Sequence, residues 1–141
     1  ALRHARRAWT CVTVTEPSPR LHVDVRRLRQ IVLNLVSNAV KYTRAGHVAI
    51  GVGVEDGVVV VAVADTGPGI PPSDRERIFS AWERASGAED GHGLGLGIAR
   101  EHATSMGASI ELESVVGRGS TFRLRLPPDE RPRREPDGEA P

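Results

Sequence analysis

The sequence predicts an α+β fold, a two-layer α/β sandwich in which helices cover one face of a mixed, mostly antiparallel sheet. Three observations support this class. Residues 25–43 repeat apolar side chains at helical spacing, two pairs of β-rich segments are each joined by a short glycine-containing turn, and helical segments stand between those pairs. Strands that pair as hairpins do not form the strand–helix–strand units of a parallel sheet, so a layered α+β arrangement follows.

The first half of the chain predicts a strand, a long helix and a hairpin. Residues 11–15 alternate along a run rich in β-branched side chains and form the first predicted strand. Asp24 is a good N-cap for the helix over 25–43. The next two predicted strands, 48–54 and 58–64, flank an Asp-Gly turn, which is typical of a hairpin.

The second half predicts shorter elements around glycine-rich loops. A short helix is predicted over 74–82, after a loop rich in glycine and proline. A glycine run opens a further helix over 92–106, and Gly107 is a natural end for it. Strands over 109–114 and 121–126 form the second hairpin.

Length and composition indicate one globular domain. The chain has 141 residues, of which 39% are hydrophobic and 26% charged. We expect the domain over 10–127, a linker or the end of an upstream helix over 1–9, and a disordered tail over 128–141, which is rich in proline and charge. The single cysteine, Cys11, excludes an internal disulfide and a multi-cysteine metal site.

Charge and hydropathy limit the classes of partner that the sequence favours. The net charge is +1 and only 4% of residues are aromatic, so nothing favours nucleic-acid binding. No apolar run approaches the roughly 20 residues that a membrane-spanning helix needs. We expect a cytoplasmic domain, whether or not a parent protein is anchored in a membrane.

The long helix carries a polar stripe with candidate ligand groups. Asn34, Asn38 and Lys41 follow at i, i+4 and i+7, beside the apolar face. Two amides and an ammonium in a row can bind a hydrated divalent cation and phosphate oxygens. A solvated helix face is the alternative. Tyr42 falls at the edge of the apolar arc, where its ring can cover a flat ligand.

Three further segments carry chemistry only in combination. Asp65 opens a turn over 65–70, and its carboxylate can accept a hydrogen bond from an exocyclic amine or simply support the turn. The glycines of 91–97 offer bare amides at the start of a helix, where anions bind, but the run is neither a Walker A motif nor a GxGxxG motif. The segment 117–122 is, taken alone, a hairpin connection.

Taken together and in this order, these segments resemble the catalytic ATP-binding domain of sensor histidine kinases, within the gyrase, heat-shock-protein, histidine-kinase and mismatch-repair ATPase superfamily. The resemblance covers roughly residues 10–127 and implies a Bergerat-type ATP-binding fold. The boxes that match are, in order, the N box at 28–43, the first glycine box at 65–70, the F box at 78–84, the second glycine box at 91–98 and the last glycine box at 117–122. In the F box, Ser80 replaces the usual acid and Trp82 a common second phenylalanine.

The resemblance also implies roles for single residues. Asp65 would accept a hydrogen bond from the adenine amine, and Asn38 would ligate Mg²⁺ with Asn34 beside it. Residues 83–91 would form an ATP lid. The implied catalytic residues are Asn34, Lys41 and Arg84, and the implied metal ligands are Asn38 and Asn34. The implied ATP-binding residues are Asn38, Lys41, Tyr42, Asp65, Gly67, Gly69, Ile70, Gly93, Leu94, Gly95, Leu96 and Thr121.

The activity that the resemblance implies is transfer of the γ-phosphoryl group of ATP to a histidine on a separate dimerisation and phosphoacceptor domain. A response regulator would be an indirect partner, and the isolated domain would be a monomer. No histidine of this chain has the context of a phosphoacceptor helix. Two alternatives stay open: a serine kinase of the anti-sigma-factor type, or a nucleotide-binding regulatory module without transfer activity.

Overall fold

The computed structural model describes residues 8–14, 21–80 and 95–128. Its elements, in chain order, are strand β1 (Ala8–Val14), helix α1 (Val25–Tyr42), strands β2 (His47–Glu55) and β3 (Val58–Asp65), 3-10 turns at Pro72–Asp74 and Arg77–Phe79, helix α2 (Gly95–Ser105), and strands β4 (Ser109–Val115) and β5 (Gly119–Leu126). The five strands form one sheet in the order β1-β2-β3-β5-β4. Only the β1–β2 pair is parallel. The predicted mixed, mostly antiparallel sheet is thus confirmed.

Both helices pack on the same face of the sheet. The alternation of side chains along a strand sends every second residue to this face. In β5 these are Phe122, Leu124 and Leu126, all nearly fully buried against the helices. On the other face Arg123 bonds to Glu113 at 2.7 Å, as in an open, solvated sheet surface. The core is therefore a single layer between the helices and the sheet.

The start and packing of α1 follow directly from its sequence. Asp24 accepts hydrogen bonds from the backbone N–H groups of Arg26 and Arg27, at 3.0 and 3.3 Å, and so satisfies two of the free donors at the helix start. The residues that α1 buries most deeply, Ile31, Leu35 and Ala39, recur every four positions.

Helix α2 lies antiparallel to α1 and is tied to it at both ends. The Asn34 amide Nδ2 donates to the Gly95 carbonyl at 2.9 Å, and Arg27 donates to the Ser105 hydroxyl at 2.8 Å. Arg27 lies near the start of α1 and Asn34 near its middle, so the two bonds hold the end and the start of α2, respectively. The N-terminus of α2 is thereby held beside the second half of α1, where the polar stripe lies.

The structure corrects the predicted helix over 74–82. The described part of that segment holds the 3-10 turn Arg77–Phe79, preceded by a turn at Pro72–Asp74, and Ser80 is extended. The backbone closes i→i+3 bonds, such as Ser80 N–H to the Arg77 carbonyl at 3.0 Å, and these favour short pieces over a continuing helix. Among the strands, the boundaries that differ most from the prediction are the starts of β1, at Ala8, and of β5, at Gly119.

Within the described ranges, no helix combines the length and the apolar character that crossing a membrane requires.

Candidate functional site

A cavity of about 260 Å³ opens between α1, the loop after β3, the 3-10 turns, the start of α2 and the end of β5. Its lining includes six residues predicted from the sequence: Asn38, Tyr42, Asp65, Gly69, Ile70 and Leu96. It also includes six that were not predicted: Pro68, Pro71, Asp74, Ile78, Ser120 and Phe122. The N box, both described glycine boxes and the F-box turn therefore meet at one place, although they are far apart in the sequence.

The cavity has apolar walls with a few polar groups. Ile70, Ile78, Leu96 and Phe122 supply the walls. The ring of Tyr42 is exposed at the edge of the cavity, with Lys41 Nζ 5.6 Å from the ring centroid. An apolar slot with a small number of fixed polar groups is typical of a site for a flat organic ligand.

The F-box turn is held against this wall by aromatic contacts. Phe79 meets Phe122 edge-to-face, with ring centroids 6.1 Å apart. The guanidinium of Arg100, from α2, lies 5.1 Å from the Phe79 ring centroid and pairs with Glu76 at 3.1 Å. The turn therefore bridges α2 and the cavity wall.

Asp65 is the ionisable group that the structure places in the cavity with a perturbed pKa. It is the last residue of β3, and its carboxylate accepts a hydrogen bond from the Gly67 N–H at 2.9 Å. Burial raises the pKa of Asp65, and the backbone N–H groups of Gly67 and Ser120 lower it in part. An ionised carboxylate only accepts hydrogen bonds, so this group suits a ligand that offers an N–H donor.

The loop that follows Asp65 is fixed to the β4–β5 hairpin. The Ile70 N–H donates to the Ser114 hydroxyl at 2.7 Å, and the Gly117 N–H donates to the Pro68 carbonyl at 2.8 Å. The backbone is thus tied on both sides of Gly69. Because the hairpin is part of the sheet, this loop has little freedom to move relative to the cavity.

The two glycines of this loop allow close approach between parts of the protein. A Cβ on Gly69, at φ +76°, would collide with the backbone of Val115 and Val116. A Cβ on Gly67 would lie 2.9 Å from Asp65 Oδ1. Both glycines therefore allow protein groups to approach, and they shape the cavity indirectly.

We expect Gly119→Ala to destabilise the domain by about 2–5 kcal/mol, because two costs add there. Gly119 has φ +132°, and a Cβ would run into the Asp65 carbonyl and the Thr66 Cα. Left-handed backbone costs about 1–2 kcal/mol for a side chain, and overpacking about 1–3 kcal/mol. Urea unfolding measures the change.

Gly117→Ala in the same hairpin is the matched control for Gly119→Ala. Gly117 has φ +82° but open space around a Cβ. It should therefore show only the smaller backbone cost, about 1–2 kcal/mol. Equal losses for the two variants would mean that contact between the hairpin and the Asp65 carbonyl does not support the fold.

The three residues of the polar stripe of α1 have different surroundings. The Asn38 side chain lines the cavity. Asn34 does not, because its amide donates to the Gly95 carbonyl and its Oδ1 accepts from Gln30 at 2.7 Å. Lys41 is exposed next to Tyr42. Asn34 thus joins the two helices in this structure, while Asn38 is available to a ligand.

Strand alternation places Ser120 in the cavity, one position before the predicted Thr121. Ser120 and Phe122 both line the cavity, and Thr121 pairs between Ala64 and Glu113 with its side chain on the opposite face. The signal was present in the sequence, because the apolar residues of 121–126 fall at even positions. Asp74 and Pro71 had no comparable periodic signal.

Several predicted site residues lie outside the described residues. They are Arg84, Gly93, Leu94, Trp82 and the predicted lid over 83–91. Gly95 and Leu96 are described, at the first turn of α2. In the ranges 21–80 and 95–128, no three His, Cys, Asp or Glu side chains come together as a metal site. A cation in the cavity would therefore need further oxygen ligands besides any carboxylate, such as amide oxygens and the ligand's own oxygens.

Comparison with known proteins gives a consistent result. Residues 23–130 match the family model described as histidine kinase-, DNA gyrase B-, and HSP90-like ATPase. The chain is 48% identical over 117 residues to the histidine protein kinase DivJ of Caulobacter vibrioides, covering 79% of this chain and 20% of DivJ. It is 38% identical over 119 residues to the aerobic respiration control sensor protein ArcB of Escherichia coli, covering 79% of this chain and 15% of ArcB.

Solved structures agree with these sequence matches. Full-length ShkA in complex with AMPPNP superposes with a TM-score of 0.73 at 41% identity, over 86% of this chain and 25% of ShkA. The nucleotide-free catalytic domain of the histidine kinase ThkA gives a TM-score of 0.71 at 29% identity, over 86% of this chain and 79% of that domain. The chain thus spans a small part of its curated relatives and most of one isolated catalytic domain.

Proposed function

Because the chain belongs to the histidine kinase-, DNA gyrase B- and HSP90-like ATPase family, we propose that its cavity binds Mg²⁺–ATP and presents the γ-phosphoryl group to a histidine of a separate domain. The observation that carries the proposal is the placement of Asp65 and Asn38 in one apolar-walled cavity. The first is an acceptor suited to a base, and the second an amide suited to a metal–phosphate group.

In this proposal adenine binds beside Asp65. Its exocyclic amine offers N–H donors to the carboxylate, and its flat ring fits between apolar side chains such as Ile78 and Leu96. The loop after Asp65 is tied to the β4–β5 hairpin, so the acceptor is positioned before the ligand arrives. Preorganisation of this kind reduces the entropy lost on binding.

In this proposal the phosphates and Mg²⁺ bind beside Asn38. Mg²⁺ takes oxygen ligands, usually a few from the protein and the rest from phosphates and water. The Asn38 side chain lines the cavity and can supply one amide oxygen. The Asn34 amide is used between the helices, so we assign the metal to Asn38 and keep Asn34 as its support. Mg²⁺ would neutralise charge on the phosphates when bound. Lys41 is an added cation at the rim.

The chemistry that we propose needs positioning more than a strong base. A neutral imidazole nitrogen of the acceptor attacks the γ-phosphorus, the bond to the β–γ bridging oxygen breaks, and ADP leaves. Imidazole is nucleophilic without a carboxylate base. An amide at Asn34, where the resemblance places a catalytic glutamate in hydrolytic relatives, is consistent with slow hydrolysis and with transfer to a protein.

The chain spans 20% of DivJ and 15% of ArcB, so the partners of the whole protein belong to this proposal. We propose a dimerisation and phosphoacceptor domain as direct partner, a response regulator as indirect partner, no nucleic acid, a cytoplasmic location and a monomeric isolated domain. The names of the relatives reported above favour a histidine acceptor over a serine acceptor, and nothing in the structure favours the serine kinase.

A transfer assay tests this function. The chain is mixed with a histidine-containing phosphoacceptor domain and ATP labelled in the γ-phosphate. We expect a labelled acceptor whose phosphate is lost in acid and retained in base, as in phosphohistidine, and no labelling when the acceptor histidine is replaced by Gln. The reverse stability would identify a serine kinase. Tight ATP binding without transfer to any acceptor would support a regulatory module instead.

A further inference from the structure

Two buried serine hydroxyls lie side by side under the cavity. Ser114, on β4, is 7% exposed, and Ser120, on β5, is 5% exposed. Their oxygens are 2.8 Å apart. The Ser114 hydroxyl also lies 2.7 Å from the Ile70 N–H and 2.9 Å from the Gly119 carbonyl. Ser114 itself does not line the cavity, whereas Ser120 does.

The hydrogens of this cluster can be assigned by counting. A serine hydroxyl has one hydrogen to donate and two lone pairs to accept. The Gly119 carbonyl can only accept and the Ile70 N–H can only donate. The Ser114 hydroxyl therefore donates its hydrogen to the Gly119 carbonyl and accepts a hydrogen bond from the Ile70 N–H through one lone pair. The remaining lone pair of Ser114 then receives the hydrogen of Ser120. In this assignment every contact of the cluster carries one hydrogen, and Ser114 is saturated.

The assignment fixes what Ser120 offers to a ligand. With its hydrogen directed to Ser114, the Ser120 oxygen can only accept hydrogen bonds from the cavity. Asp65 pairs directly with Ser120 across the β3–β5 ladder, and its ionised carboxylate is also an acceptor. The cavity therefore presents two neighbouring acceptors, and a primary amine has the two N–H hydrogens that would satisfy both.

We propose that Ser114 is a positioning residue that turns the Ser120 hydroxyl away from the cavity and so makes the site select a 6-amino purine over a 6-oxo purine. This inference rests on the proposed binding of ATP. A 6-oxo group would place a third acceptor against Asp65 and Ser120, and none of the three could donate. Without Ser114 the Ser120 hydrogen is free to turn into the cavity and donate to that oxygen.

Nucleotide affinities of the full chain test the proposal. ATP and inosine triphosphate, which carries a 6-oxo group, are titrated calorimetrically into the wild type, Ser114→Ala, Ser120→Ala and the double variant. We expect Ser114→Ala to lower the preference for ATP by roughly five- to tenfold, the scale of one hydrogen bond, with inosine triphosphate binding more tightly than to the wild type. Ser120→Ala should weaken ATP binding and lower the same preference.

The double variant shows whether Ser114 acts through Ser120. The proposal expects Ser114→Ala to have no further effect on the preference once Ser120 is Ala. A purely structural Ser114 would instead weaken both nucleotides by the same factor, and that result would overturn the proposal. Should Ser114→Ala fail to fold by thermal unfolding, an unchanged preference in Ser120→Ala would overturn it as well.

The same titrations separate this inference from the proposed function. If the wild-type chain binds neither nucleotide, the proposed function and the role of Ser114 are both overturned. A wild type that prefers ATP and loses that preference in Asp65→Asn, but keeps it in Ser114→Ala, removes only the role of Ser114.

Discussion

Replacing Asp65 by Asn is expected to weaken ATP binding about 100-fold without destabilising the nucleotide-free domain at neutral pH. The variant loses a charge-assisted hydrogen bond to the adenine amine and can turn an N–H group toward it, a combined loss of about 3 kcal/mol. The Asn oxygen can still accept the Gly67 N–H that Asp65 accepts at 2.9 Å. Calorimetric titration and thermal unfolding measure the two effects separately.

Asp56→Asn is the matched control for this substitution. Asp56 lies in the β2–β3 turn with φ +50°, a conformation that Asn tolerates well, and it does not line the cavity. Its affinity for ATP should stay within twofold of the wild type, which is the scatter expected for a remote surface change. If Asp65→Asn lost stability in parallel with affinity, Asp65 would be a structural residue.

The stability difference between Asp65→Asn and the wild type should depend on pH in a defined direction. Burial raises the pKa of Asp65 in the folded state. Its contribution to stability is therefore fully present below its unfolded pKa and is lost as the pH rises through the raised folded pKa. Relative to the wild type, Asp65→Asn should gain stability as the pH rises through this range, and the difference should vanish in stronger acid. ATP affinity of the wild type should rise over the same range, because an ionised carboxylate accepts a hydrogen bond more strongly than the neutral acid does.

Asn38→Ala is expected to abolish the Mg²⁺-dependent part of ATP affinity, a loss of about 10- to 100-fold at saturating Mg²⁺. Asn38 lines the cavity, and its amide oxygen is the α1 group that the helix contacts leave available. ATP titrations with Mg²⁺ and with a chelator give the Mg²⁺-dependent ratio for each variant.

Ser37→Ala is the control for Asn38→Ala, since Ser37 is the exposed neighbour on the same helix and does not line the cavity. Its Mg²⁺-dependent ratio should equal that of the wild type. A wild-type ratio in Asn38→Ala would show that the metal site is elsewhere.

The fold was predictable from sequence wherever one period dominated over many residues. The apolar repeat of α1 and the Asp24 cap follow simple rules, and the structure has both. The segment 74–82 was predicted wrongly because a short i→i+3 turn and a single α-helical turn cannot be told apart by apolar periodicity over so few residues. At this length, tertiary contacts such as the one between Phe79 and Phe122 decide the backbone.

The site was predictable only in part, because single residues depend on register. Asp65, Asn38 and Leu96 follow from motif position and do line the cavity. Identifying Ser120 rather than Thr121 as the residue in the cavity required the strand register. The close approach that Gly69 allows could be identified only from the position of the Val115 backbone. Pairing between distant segments is not encoded in local spacing, so these two points required the structure.

The order of the strands has a consequence for synthesis on the ribosome. β5 is the last strand that the structure describes, yet it lies between β3 and β4, and the hairpin that it forms with β4 holds the Asp65 loop in place. A nascent chain that already contains the N box and Asp65 therefore lacks an interior strand of its sheet. Nucleotide binding should begin only after residue 126 has left the exit tunnel, so premature termination before that point yields no partially active product.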